Sequence, residues 1–185
     1  ETAIGNYDGI HLGHQAILKK LISESRGNNL LSSVMTFEPH PREFFSPKRA
    51  PKRIISLREK LEYFDESKID QVFIVNFNDE FSRKSYLDFI EILKKNIQAK
   101  KIIIGNDFRF GKQREGNIDK LIDSSVDVCV MNKIEYKGER VSSTIIRDSL
   151  AVGDLKRAAM LLGRSYSISG KVVHGDKRGR AVSYT

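Results

Sequence analysis

Gly5-Asn6-Tyr7-Asp8-Gly9-Ile10-His11-Leu12-Gly13-His14 sits where a short strand hands over to a helix. Ala3 and Ile4 read as the end of the strand. Ile17, Leu18, Leu21 and Ile22 recur at the spacing of one apolar helix face. A loop between two such elements lies at the carboxyl end of its strand, where open α/β sheets bind ligands. Glycine lets the backbone approach a ligand closely, and a helix amino terminus offers free N–H groups to phosphate. The segment reads as a nucleotide phosphate site, with two imidazoles as further donors.

Outward from that loop the chain alternates. Apolar runs at residues 30–37, 71–77, 101–105 and 126–131 are short, bounded and rich in Val and Ile, as buried parallel strands are. Between them lie helical patterns. Ser56-Leu57-Arg58-Glu59 reads as a capping box that opens a helix with Leu57, Leu61 and Phe64 on one face. Leu87, Ile90, Leu93 and Ile97 predict another, whereas residues 119–126 are short for a complete crossover helix. The alternation predicts an α/β doubly wound, Rossmann-like parallel sheet of about five strands with right-handed crossovers. The first strand begins almost at Glu1, which suggests missing residues upstream.

Residues 144–150 and 154–162 read as two helices, the second closed by Gly163. Tyr166, Ile168, Gly170 and Val172 then alternate with polar residues at strand spacing. A domain boundary is expected here, with one domain over residues 1–163 and the start of a truncated β-barrel over 164–185.

The composition is that of an ordinary globular protein: 39% hydrophobic and 30% charged in 185 residues. One cysteine, Cys129, excludes an intrachain disulfide and fits a reducing, cytoplasmic setting. No apolar run is long enough to span a bilayer, and no membrane partner is expected. The net charge of +8 is concentrated in two blocks, +5 over residues 42–60 and +6 over 156–180, leaving −3 elsewhere. Each block lies beside a proposed nucleotide or flavin segment, where it can attract anionic small molecules. A basic nucleic-acid module would also explain the charge, but no nucleic-acid motif accompanies it, so none is expected as a partner.

Several segments can carry chemistry. His11 and His14 can be phosphate ligands, zinc ligands with Asp8 (three residues before His11), or ordinary loop histidines. The glycine between them and the helix that follows favour phosphate. Ser142, Ser143 and Thr144 stand at a second helix start with Arg147 one turn on, as a helix cap or a phosphate cradle. In residues 105–111, again at a strand's carboxyl end, Asp107 can accept ribose hydroxyls. Phe108 and Phe110 can wall an aromatic ring or fill core. In residues 38–45, prolines stiffen the exit from the second strand, and Phe44 or Phe45 can stack on a flat ring or pack on the core.

These motifs together resemble the bacterial bifunctional riboflavin kinase/FAD synthetase family. The matching strings are GNYDGIHLGH (with the His-x-Gly-His signature of nucleotidyltransferases), TFEPHPREFF at 36–45, GNDFRFGKQREG at 105–116, VSSTIIR at 141–147 and YSISGKVVHGDKRGR at 166–180. They run in the family's order. The resemblance implies transfer of AMP from ATP to FMN, giving FAD and pyrophosphate, with Mg²⁺ accompanying ATP. It implies that His11, His14 and Arg147 act on the phosphates, helped by Gly5, Asn6, Asp8, Gly13, Ser142, Ser143 and Thr144. Asn106 and Asp107 would serve the nucleotide, and His40, Pro41, Phe44 and Phe108 would bind FMN. No magnesium ligand is assigned. The last stretch resembles the opening of a riboflavin kinase barrel but departs from its pattern. Ser183 replaces a usual glycine, no proline precedes Thr185, and the asparagine that follows in the family is absent. Kinase activity is therefore expected of a parent protein only.

Overall fold

The structure, a computed structural model, describes residues 1–171. In chain order the main elements are β1 (Thr2–Ile4), α1 (Leu12–Gly27), β2 (Ser33–Glu38), α2 (Pro41–Phe45), α3 (Leu57–Glu66) and β3 (Gln71–Asn76). There follow α4 (Asp79–Ser82), α5 (Tyr86–Glu91) running into a π-helical turn (Ile92–Asn96), β4 (Lys101–Gly105), α6 (Ile118–Asp123) and β5 (Asp127–Met131). A small hairpin, β6 (Glu135–Tyr136) and β7 (Glu139–Arg140), precedes α7 (Ser143–Ala151) and α8 (Leu155–Leu162).

The five main strands form one sheet in the order β3-β2-β1-β4-β5, every neighbouring pair parallel. Strand side chains alternate between faces, and the core divides accordingly. Ala3, Val34 and Ile103, which share a register row, pack with Leu18 and Leu21 of α1, Phe64 of α3 and Ile146 of α7. Their neighbours Ile4, Met35, Ile102 and Ile104 turn to the other face, against Phe89 and Leu93. Helices on both faces of a parallel sheet are the doubly wound arrangement that the alternation predicts. β2 lies on one side of β1 and β4 on the other, so the loop after β1 opens at the switch point of the strand order.

Local signals hold well. Ser56 and Glu59 form the reciprocal capping box, and Gly163 ends α8 in the left-handed region at φ 68°. One expectation needs correction. Leu87 is 60% exposed; Phe89 takes its place on the buried stripe with Ile90 and Leu93, because at about 100° per residue positions 89, 90 and 93 share one face and 87 falls to its side. The crossover between β4 and β5 holds only the six-residue α6, short as its sequence indicates. Residues 166–171 carry no assigned strand; the rest of the expected barrel start, residues 172–185, lies outside the described residues. Among the described residues no helix is long and apolar enough to cross a membrane.

Candidate active site

The loop after β1 is held in an unusual backbone course. Tyr7, Gly9 and Ile10 all have positive φ, 50°, 86° and 41°. Tyr7 and Ile10 are fully buried and anchor it in the core, Tyr7 edge-on to Phe64 with ring centroids 5.4 Å apart. From below, the Asn6 carbonyl accepts hydrogen bonds from Lys60 Nζ (2.8 Å) and Thr36 Oγ1 (3.4 Å). Gly9 has Ile54 Cδ1 3.0 Å from where a Cβ would stand, so a side chain there would be strained in φ and tight against Ile54.

His11 is the N-cap of α1: its Nδ1 accepts from the His14 N–H at 3.3 Å. An imidazole that accepts at Nδ1 while neutral carries its proton on Nε2, which makes that nitrogen a donor. The two imidazoles stack, centroids 3.7 Å apart and planes 15° from parallel. Burial, aided by the Arg147 and Arg164 charges and opposed by Asp8, brings His11 down to about 4. Burial and the His11 ring hold His14 well below its ordinary value. Both rings are therefore neutral at pH 7 without ligand.

The start of α7 closes against this loop. Ser143 Oγ donates to the Asp8 carbonyl at 2.9 Å, and Ser142 Oγ caps the helix by accepting from the Ile145 N–H. Arg147 pairs with the buried Asp8 carboxylate and donates Nε to the Lys52 carbonyl at 2.7 Å. Asp8 also accepts from the Ile54 N–H at 2.9 Å. Its carboxylate is thus committed to protein partners and holds Arg147 in place. Thr144 is exposed at the start of α7.

Both helix starts border a cavity of about 840 Å³, which falls in the usual range for ligand sites. Gly5, Asn6, Gly13, His11, His14 and Asp8 line one end, together with Ser142, Ser143, Thr144 and Arg147. Asn106, Asp107 and Phe108 line it from the end of β4, and His40 and Pro41 from the start of α2. Phe44, expected beside them, does not line it; Phe45 does, 63% exposed. In the single turn of α2, Phe44 is turned onto Phe77 and Phe45 at ring distances of 5.6 and 5.2 Å. His40 caps α2 through Nδ1, accepting from the Arg42 N–H at 3.0 Å. Asp107, exposed, lies 3.5 Å from Arg140 and 3.8 Å from Lys133. Of the two phenylalanines in residues 105–111, Phe110 is core.

The comparisons agree with this geometry. The FAD synthetase family model matches residues 1–145. The chain belongs to the FAD synthetase family. Three relatives are each named bifunctional riboflavin kinase/FMN adenylyltransferase. That of Buchnera aphidicola (subspecies Schizaphis graminum) is 42% identical over 99% of this chain and 61% of its own length. That of Escherichia coli is 41% identical over 98% and 59%, and that of Haemophilus influenzae 38% over 98% and 60%. The chain therefore spans about 60% of the length of these relatives. Among solved structures, one from Streptococcus pneumoniae named a macrolide-efflux protein superposes with a TM-score of 0.81 at 26% identity. It covers 98% of this chain and 60% of that one. That name describes the other protein; the shared feature is the fold.

Within this FAD synthetase fold, several lining residues were not singled out by sequence. Phe77 and Phe81 continue the wall from Phe45, with ring centroids 5.6 Å (Phe45–Phe77) and 5.7 Å (Phe77–Phe81) apart. Phe81 reaches Phe89 at 6.3 Å, and Phe89 reaches Phe108 and Phe110 at 6.4 and 5.0 Å. Arg42, Arg49, Lys84, Arg109 and Arg114 bring positive charge to the same cavity. An isolated phenylalanine at the end of a strand or in a four-residue helix carries no periodic signal, which is why these escaped the sequence reading.

The cavity offers a metal ion little. Among the described residues no group of three or more His, Cys, Asp or Glu could hold one. Its two carboxylates, Asp8 and Asp107, both face cations, and His11 Nδ1 is occupied as a cap. The donor set does not fit an all-protein Mg²⁺ or Zn²⁺ site.

Proposed function

We propose that this cavity transfers AMP from ATP to FMN. The observation that carries the proposal is the division of one cavity into a phosphate end and an aromatic wall. At the phosphate end two helix amino termini, two neutral histidines and Arg147 converge. The wall of phenylalanines suits a flat ring system, and the basic side chains near it suit its phosphate.

In this reading an oxygen of the FMN phosphate attacks the α-phosphorus of ATP. The bond from that phosphorus to the oxygen bridging to the β-phosphate breaks, and pyrophosphate leaves with the electron pair. The second pKa of a phosphate monoester is about 6, so the attacking group is largely ionised at neutral pH and needs no general base. The protein's part is alignment and stabilisation of charge on the transferring group. His11 donates from Nε2 at the start of α1. Arg147, held by Asp8, and the first turn of α7 with Thr144 take the departing pyrophosphate. His14, stacked beneath His11, adds the second imidazole. Asn106 and Asp107 are assigned to the nucleoside; His40, Pro41, Phe45 and Phe108 to FMN. Mg²⁺ would come with the ATP phosphates, as it does where few protein ligands are offered.

Riboflavin kinase activity, named for the relatives, is proposed only for a longer protein that would include a complete second domain from residue 164 onward. The relatives' greater length supports it.

The test is an acceptor screen with ATP and Mg²⁺ against FMN, unphosphorylated riboflavin and unrelated phosphate monoesters. FMN alone is expected to be adenylylated at an appreciable rate; preference for a non-flavin monoester would overturn the reading.

A further inference from the structure

We propose that Arg164 is a positioning residue for ATP, locking the backbone of the histidine loop to the end of α8. The inference rests on the reading of that loop as the ATP phosphate site. Arg164 lies beyond the segment matched to the family and outside every motif of the sequence reading.

Its guanidinium donates Nη2 to the Gly9 carbonyl at 2.7 Å, and Nη1 to the carbonyls of Ile10 at 3.0 Å and Leu162 at 3.3 Å. Gln15 doubles the link, since its Nε2 donates to the same Ile10 and Leu162 carbonyls at 3.0 and 2.7 Å. The loop needs such a clamp. Gly9 and Ile10 are both left-handed, and Ile10, a β-branched residue at φ 41°, occupies a region that costs energy unless its surroundings enforce it. In a trans peptide the N–H points opposite the preceding carbonyl. Seating the Gly9 and Ile10 carbonyls on Arg164 therefore turns the N–H groups of Ile10 and His11 away from the guanidinium. The orientation of the peptide that leads into His11 is fixed from outside the loop.

The charge of Arg164 has no carboxylate within ion-pair distance among the described residues. Its guanidinium lies over the Tyr63 ring, 5.3 Å from the centroid. A planar fork that meets several carbonyls at once is a task for arginine; lysine would carry the charge but place a single point donor.

The test is calorimetric titration of ATP with Mg²⁺, and separately of FMN, into the wild type and Arg164→Gln, Arg164→Lys and Arg164→Ala. Arg164→Gln is expected to weaken ATP about tenfold, roughly the worth of one charge-assisted hydrogen bond, with stoichiometry near one and FMN affinity unchanged. Arg164→Lys should recover part of that loss. Wild-type ATP affinity in Arg164→Gln would overturn the proposal. So would a lowered stoichiometry at wild-type affinity, or an equal weakening of FMN, since either marks a merely structural role. Should Arg164→Ala fail to fold, Arg164→Gln decides. A wild type that binds FMN but no ATP would instead refute the phosphate reading of the loop, and this inference with it.

Discussion

Replacing His11 by Asn removes one titrating group while leaving an oxygen that can still cap α1. In the unfolded chain His11 accepts a proton near its ordinary 6.5; in the fold, burial delays this to about 4. Between those values the unfolded state binds more protons, so stability rises with pH. The contribution is complete above pH 6.5 and is lost as pH falls toward 4. At about 1.4 kcal/mol per pH unit, the gap is worth roughly 3 kcal/mol. Urea unfolding at intervals from pH 7 to pH 4 should show the wild type losing about that much more stability than His11→Asn, with His14 titrating in both. Saturating pyrophosphate should flatten the wild-type curve, because an anion beside the imidazole favours its protonated form. Parallel curves for the two proteins would refute the burial argument. A wild-type curve unmoved by pyrophosphate would refute its placement at His11.

Other perturbations separate positioning from packing. Asp8→Asn leaves Arg147 without its buried partner and should cost about 3 kcal/mol of stability; a double-mutant cycle with Arg147→Met should give a coupling of about 1–3 kcal/mol in urea unfolding. Gly13→Ala places a Cβ 3.1 Å from His11 Cε1 and 3.2 Å from Nδ1, on a ring already stacked against His14. Alanine's better helix propensity, worth up to about 1 kcal/mol, should offset the crowding, so turnover is expected to fall while the thermal midpoint barely moves. Phe45→Ala should weaken FMN about tenfold in a flavin fluorescence titration without changing stability; Phe44→Ala should act more on stability than on FMN.

Most of the fold was legible because its signals are local. The strands are short runs of Val and Ile cut off by polar or turn residues, and the helices carry their caps within four residues. The hairpin of β6 and β7 was not legible: Glu-Tyr-Lys-Gly-Glu-Arg has no apolar alternation, and only Lys137-Gly138, both at positive φ, marks the turn. The choice between Phe44 and Phe45 was likewise out of reach, because adjacent residues on a single turn point about 100° apart and nothing local fixes the turn's rotation. Residues gathered into motifs were legible as candidates and come together at one cavity; those that act from a distance were not. Lys60 reaches Asn6 across 54 positions, and Arg164 reaches Gly9 across 155. Neither stands in a pattern that spacing could disclose. The pairing of Asp8 with Arg147, 139 positions away, was equally out of reach.

The most direct test of the central claim follows the label from ATP. The chain is incubated with FMN, Mg²⁺ and ATP labelled at the α-phosphorus, and the products are separated by chromatography. The account predicts label in FAD in step with pyrophosphate released, and loss of most of that rate in His14→Ala with FMN affinity little changed. Release of pyrophosphate with the label in free AMP, or an undiminished rate in His14→Ala, would contradict it.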